Sequence, residues 1–313
     1  MIYDAIIMVI PENIKLLEKA FPYLCENLGA ESIVFVANDS CRSEIDKAFA
    51  GKEYRFLNED EIFTGMTLLR IKEILLGLCG DSHRAGWFYQ QFLKMAYAYK
   101  CENRYYLVFD SDTIPLRKIQ YFDEDGKPQF IIKREYHAPY FETMKVLFDG
   151  EVGRFNRDVS YIAENMIIKK DIMIEIIDKI MANPHLRGDT FYERILNSIS
   201  KDVVKDTGFS EFETYGNYVM TFYPSVYNEI RLHTQRRGTF LFGNEPSDEQ
   251  LRWASKDYDI ISFENNGRTW LADKTKDEKI RQKYNAARLF KKYIWLNDLI
   301  DRLRFREVID YDD

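Results

Sequence analysis

Short apolar runs alternate with longer amphipathic segments through the first 110 residues of the chain. "AIIMVI" is a continuous apolar run of strand length that ends at Pro11. "ENIKLLEKAFPYLCENL" follows, with Ile14, Leu17, Ala20 and Leu24 on one side, the spacing of a helix. "SIVFVANDS" predicts a second strand, ending in the polar Asn38, Asp39 and Ser40. "CRSEIDKAF" predicts a short helix and "YRFLNEDEIF" a third strand that leaves into a loop. "TLLRIKEILLGLCG" predicts an amphipathic helix stopped by Gly80. Another helix is expected at "GWFYQQFLKMAYAYK", and a fourth strand at "RYYLVFDSD".

Strands that are apolar throughout, separated by helices, predict a parallel sheet covered on both faces. The fold class is therefore α/β, with a Rossmann-type, mostly parallel central sheet flanked by helices. In such sheets ligands bind beyond the carboxyl ends of the strands, which here carry Pro11, Asn38, Asp39, Asn58 and Asp110. The second half mixes its elements. "QFIIKREY" and "YDIISFE" predict strands, and "SYIAENMIIKKDIMIEIIDKIM" a strand running into a helix. "DTFYERILNSIS" and "SEFETYGNYVMTFYP" predict helices. No Pro-, Gly- or Ser-rich linker interrupts the chain, so residues 1–270 are expected to form one catalytic domain. Residues 271–313 add a helical extension rich in Lys, Arg and aromatics. That extension suits peripheral contact with an anionic membrane surface, or packing on the domain with its charges solvated.

The chain has 313 residues and a net charge of -7. That charge argues against a nucleic-acid partner held by bulk electrostatics. Its four cysteines match no common zinc spacing, so free thiols in a reducing compartment are expected. No apolar run reaches the ~18 residues that a membrane span needs, and the N-terminus lacks signal-peptide character. A cytoplasmic location, at most peripheral to the membrane, follows as an expectation. No GxGxxG or GxxxxGKS phosphate loop is present.

The informative stretch is "YYLVFDSDTIPL", where a buried strand runs into Asp110 and Asp112. Alternate residues of an extended segment face the same way, so two carboxylates converge there and repel. A hard divalent cation, Mg2+ or Mn2+, cancels that repulsion and leaves coordination positions for phosphate oxygens. An acidic surface loop is the plainer reading of the same residues.

With strand order and this triplet together, the chain resembles GT-A nucleotide-sugar glycosyltransferases. "GWFYQQFLKMAYA", "YYLVFDSDTIPL", "SYIAENMIIKKDIM", "GFSEFETYGNYV" and "LRWASKDYDIISFE" are similar to a bacterial GT-A-like family associated with cell-surface polysaccharide synthesis. The likeness runs from about residue 3 to about residue 265. It implies a nucleoside-diphosphate-sugar donor, a UDP-sugar before other nucleotides, and a glycan or lipid-linked glycan acceptor. It implies that Asp110 and Asp112 bind the metal and that Ser111 lies near the donor ribose or sugar. Pro11, Asn38 and Asp39 then border the base and ribose, although Asn38 and Asp39 equally suit capping of the next helix. Lys94, on one helix face with Gln90 and beside Gln91, would neutralise a diphosphate or position an acceptor. It equally suits a solvated position on an amphipathic helix.

An inverting transferase also needs a general base. "GFSEFETYGNY" supplies Glu211 and Glu213 in the first turn of a helix capped by Ser210. Ser210 and Glu213 match a capping box, which favours Glu211 as the base. The resemblance further implies His233 as a late metal ligand and Arg236, with Arg237, as diphosphate contacts. Structural roles are open for all three. His137 and the "KREYH" cluster are expected beside the acceptor. A HAD-type phosphatase shares a DxD after an apolar strand, but its usual Thr falls one place later than Thr113. A nucleotidyltransferase could use the same aspartate pair, and a catalytically inactive binding protein could retain it.

Overall fold

The strand "YDAIIM", Tyr3–Met8 (β1), is buried along its whole length. Successive strand residues face opposite sides of a sheet, so β1 has protein packed on both. The same holds for "YYLVF", Tyr105–Phe109 (β4). In the computed structural model, which describes residues 1–264, 271–293 and 295, the chain packs as two units. One comprises Met1–Ser111 and Gln120–Arg231; the other comprises Asp112–Ile119 and the described residues from Leu232 on.

The first unit is built on a five-stranded sheet. Ser32–Ala37 (β2) and Arg55–Asn58 (β3) extend it on one side of β1, and β4 lies on the other. Thr113–Pro115 (β5) belongs to the second unit and Gln129–Ile131 (β6) to the first, followed by Asn165–Lys169 (β7). The order β3-β2-β1-β4-β7 is parallel except for β7, which runs antiparallel to β4. The predicted α/β architecture, with a mostly parallel sheet flanked by helices, is present. The reversed edge strand is not legible in "ENMIIKK", because an apolar run carries no strand direction.

Helices Ile14–Asn27 (α1), Arg42–Ala48 (α2), Leu68–Cys79 (α3) and Ala85–Ala96 (α4) connect the first four strands. Gly80 does stop α3: it adopts φ 74°, the left-handed conformation that glycine adopts without a Cβ penalty. Ala138–Leu147 (α5), Lys170–Ala182 (α6), Phe191–Ser198 (α7) and Glu211–Phe222 (α8) complete the first unit, with Asn228–Ile230 (β8) pairing β6.

In the second unit, Thr234–Gln235 (β9) and Ile260–Ser262 (β10) join β5 in the order β5-β10-β9. Gly238–Phe242 (α9) and Asp248–Ala254 (α10) precede β10. The long helical pattern expected after residue 271 is broken. Its described part forms Ala272–Lys276 (α11), Glu278–Lys283 (α12) and a helix over 286–293. Asp277 leaves the helical region and caps α12 through its side chain, which divides the first two. The remainder of the extension lies outside the described residues. No helix among the described residues is long and apolar enough to cross a membrane.

Candidate active site at the carboxyl edge of the parallel sheet

Strands β1 to β4 are parallel, so their carboxyl ends share one edge. The sheet order turns back between β1 and β4, because β2 and β3 extend one way and β4 the other. A crevice at such a switch point is where open α/β sheets bind ligands. Pro11 begins a 3-10 turn directly after β1, Pro11–Asn13. From that turn Asn13 Nδ2 donates to Ser111 Oγ at 2.9 Å, so the ends of β1 and β4 meet across the switch point. The sequence gives no hint of Asn13, since "PEN" looks like an ordinary helix lead-in.

Helix α4 places Lys94 beneath this edge. Its side chain is only 9% exposed, so it is not a solvated lysine. Lys94 Nζ lies 2.8 Å from Asp110 Oδ1 and 2.9 Å from Glu211 Oε1. The Phe212 ring centroid is 4.7 Å from the same ammonium. Burial pushes a lysine down, but the Asp110 and Glu211 carboxylates outweigh it and hold Lys94 above the usual lysine range. Tyr106 Oη donates to the Lys94 carbonyl at 2.9 Å, and Gln91 Oε1 accepts from the Glu211 N–H at 3.2 Å. Three candidates that the sequence offers separately, Lys94, Asp110 and Glu211, thus form one buried charge cluster. Amphipathic spacing alone could not reveal it, because the partners of Lys94 come 16 and 117 residues later.

Glu213 is separate. It is fully buried, accepts from Ser160 Oγ, and accepts from Asn217 Nδ2 at 2.9 Å. Burial raises its pKa, against the pull of Ser160, the Tyr161 backbone, Asn217 and Arg154. Only half of the capping box forms: Ser210 Oγ accepts the Glu213 N–H, while the Glu213 carboxylate turns inward to Ser160.

Asn38 caps the 3-10 turn Asp39–Cys41 after β2, its Oδ1 accepting the Ser40 N–H, whereas α2 itself starts after Cys41 with no side-chain cap. Its Nδ2 also reaches Asp60 Oδ2 at 3.3 Å and Glu59 Oε1 at 3.5 Å. Asp39 accepts from Asn58 Nδ2 at 2.9 Å, and Tyr89 Oη donates to Asp60 Oδ1 at 3.1 Å. Burial, then the neighbouring Asp60 charge, pushes Glu59 up to about 7, although the Asn38 hydrogen bond opposes them. A carboxyl raised in the fold is neutral there while the unfolded chain ionises. Its contribution to stability is therefore present below pH 4.5 and lost as pH rises through about 7. Glu59→Gln is expected to gain about 1 kcal/mol relative to wild type between pH 5 and pH 8, after allowance for solvent screening. Urea midpoints at those two pH values measure it, and parallel profiles would contradict it.

The chain turns at Ser111–Asp112. The extended geometry expected to aim both carboxylates one way is therefore absent. Asp110 follows β4 in the first unit, whereas Asp112 opens the segment that belongs to the second. There Thr113 Oγ1 lies 3.2 Å from Asp112 Oδ1 and 2.8 Å from Ser262 Oγ. His233 and Arg236 are also in the second unit. His233 is exposed and its backbone N–H donates to Asp259 Oδ2 at 2.8 Å. Arg236 Nε lies 3.7 Å from Glu264 Oε1. Among the described residues no group of three or more His, Cys, Asp or Glu side chains is gathered as a metal cage. In the first unit, His137 Nε2 contacts Thr207 Oγ1 at 2.7 Å.

These features define an α/β protein with a buried acid–lysine cluster at the switch point of its sheet. Residues 30–222 match the model of DUF6492, a family of unknown function, and the chain belongs to that family. No curated protein matches it. Similar solved structures include mouse xyloside xylosyltransferase 1 in its apo form, with TM-score 0.41 and 11% identity over 85% of this chain and 99% of that one. The apo structure of WbbM, a bifunctional glycosyltransferase, gives TM-score 0.43 and 10% identity over 85% of this chain and 46% of that longer one. HddC from Yersinia pseudotuberculosis gives TM-score 0.32 and 14% identity over 74% and 90%.

Proposed function

We propose that the protein is a metal-dependent glycosyltransferase, moving a sugar from a nucleoside-diphosphate donor, UDP-linked by preference, to a glycan or lipid-linked glycan in surface-polysaccharide synthesis. The observation that carries this reading is the buried Lys94, held between Asp110 of the DxD triplet and Glu211. With two carboxylates on one ammonium the cluster keeps a net negative charge, which suits a divalent cation through which substrate phosphates would be held. Asp110 and Asp112 would hold Mn2+ or Mg2+, hard cations that complete their coordination from substrate phosphates and so need no three-residue protein cage. Such an ion supplies charge neutralisation for the leaving diphosphate.

The chain's own residues would do the rest. Lys94 fixes the Asp110 and Glu211 carboxylates. Ser111, held by Asn13, borders the donor sugar; Pro11, Asn38 and Asp39 border the base and ribose. Glu211, rather than the sequestered Glu213, would take the acceptor proton in an inverting reaction, for which its pair with Lys94 must open as substrate enters. His233 as a further metal ligand and Arg236 as a diphosphate contact complete the reading.

The test is thermal unfolding with nucleotides, with and without Mn2+. UDP with Mn2+ is expected to stabilise wild type by about 2.7 kcal/mol at a hundredfold excess over Kd. Asp112→Ala is expected to lose that response. Absence of a metal-dependent response in wild type would rule out the activity, and an equal response from Asp112→Ala would rule out the assignment of the triplet.

A further inference from the structure

A second recess in the first unit has a composition of its own. It encloses about 490 Å³ and is lined by Tyr136, Phe141, Lys145, Gly153, Arg154 and Arg157. Three of these six residues are cationic, and no carboxylate lines it. The Tyr136 and Phe141 rings stack 5.5 Å apart at 11°. The Arg154 guanidinium lies 4.6 Å from the Tyr136 centroid and 5.4 Å from that of Phe141. Its Nη2 donates to the Glu135 and Val159 carbonyls, at 3.1 and 3.4 Å, which fixes the group in place. Its Nε is buried without a hydrogen-bond partner in the fold. Lys145 and Arg157 are exposed and pair with no carboxylate among the described residues.

Three cations on a surface of a protein with net charge -7 repel one another unless an anion joins them. With both Nη2 hydrogens on carbonyls and Nε buried, the fixed guanidinium keeps Nη1 to donate a charge-assisted hydrogen bond to a carboxylate or phosphate. The aromatic faces beside it offer a flat apolar surface of the kind that packs on a sugar ring's C–H face. The pocket is also wired to α8. Phe155, next to Arg154, donates its N–H to Asn217 Oδ1 at 2.8 Å, and Asn217 Nδ2 donates to Glu213 Oε2. Arg154 is among the groups that oppose the burial-driven rise at Glu213. Phe155, beside Arg154, is therefore one hydrogen bond from the helix that begins with Glu211 and two from the Glu213 carboxylate.

We propose that this pocket is the acceptor subsite for an acidic saccharide, binding the carboxylate or phosphate of one sugar residue through Arg154, Lys145 and Arg157 and its ring on Tyr136. The proposal rests on the glycosyltransferase reading for the word acceptor, but binding itself is measurable without it. Full-length protein is titrated by calorimetry with trigalacturonate, with maltotriose as the uncharged counterpart and with inorganic phosphate as competitor. Trigalacturonate is expected to bind, maltotriose to bind at least about tenfold more weakly, and excess phosphate to displace the acid. The double variant Lys145→Glu/Arg157→Glu reverses two exposed charges and is expected to fold normally and weaken trigalacturonate binding by at least about tenfold. Equal binding of the neutral sugar, indifference to phosphate, or unchanged affinity in the variant would each overturn the proposal. So would no binding at all to wild type. The UDP–Mn2+ response is measured on the same variant and is expected to survive. Failure of that response in wild type, with acid binding intact, would remove the transferase reading and leave an acidic-saccharide site.

Discussion

Lys94→Met is expected to destabilise the protein by about 3–5 kcal/mol, because removing one partner of a buried ion pair strands the others. Methionine fills similar volume, so the loss is electrostatic rather than a cavity effect. Asp110 retains 33% side-chain exposure and recovers some hydration, whereas Glu211, at 5%, cannot. The double variant Lys94→Met/Glu211→Gln is therefore expected to be more stable than Lys94→Met alone, by about 1–3 kcal/mol. Denaturant unfolding of the two single variants and the double gives the coupling energy. A Lys94→Met protein within about 0.5 kcal/mol of wild type, the range of an ordinary surface change, would mean that the cluster does not hold in solution. If Glu211 is the base, Lys94→Met also loses turnover in excess of its stability loss, since the carboxylate loses its fixed position.

How much of this is legible in the sequence depends on the range of the interaction. Strands β1, β2 and β4 announce themselves as "AIIMVI", "SIVFV" and "YYLVF", because burial on both faces leaves an unbroken apolar run. Their carboxyl ends follow from parallel order, and with them Pro11, Asn38, Asp39 and Asp110. Gly80 and Ser210 are readable because caps are local: the signal lies within a few residues of its effect. Partners are not readable. Nothing in "GWFYQQFLK" says that Lys94 is buried, since a lysine on an amphipathic helix looks the same beside water or beside two carboxylates. Nothing in "PEN" says that Asn13 meets Ser111, 98 residues on.

Where sequence and fold disagree, the origin is the same. A preceding strand predicts an extended DxD triplet, yet the backbone turns at Ser111 as the chain leaves one unit for the other. The spacing of Ser210 and Glu213 predicts a full capping box, but Ser160 competes for the Glu213 carboxylate from 53 residues away and wins it. Burial decides that contest: a fully buried carboxylate must satisfy its oxygens nearby, and Ser160 and Asn217 are both at hand.

The same packing leaves Gly216 in α8 no room for a side chain. Gly216→Ala is expected to cost at least about 2 kcal/mol, against the ~1 kcal/mol that alanine gains over glycine in a helix interior. A Cβ at Gly216 would sit 2.2 Å from Tyr161 Cγ and 2.5 Å from Cδ2. The ring has nowhere to go. It is 1% exposed, packs edge-on against Phe130 at 5.2 Å, and its hydroxyl donates to Glu229 Oε1 at 2.7 Å. Relief must come from α8 itself, the helix that carries Glu211 to Lys94 and Glu213 to Ser160. Gly216→Ala is thus expected to lower the thermal midpoint and to loosen the Lys94 cluster together. Hydrogen exchange at the amides of Glu211 and Glu213 reads the second effect directly. A neutral or stabilising Gly216→Ala would mean that Tyr161 is not seated against α8, and with it the inward turn of Glu213 toward Ser160, Tyr161's neighbour, would fall.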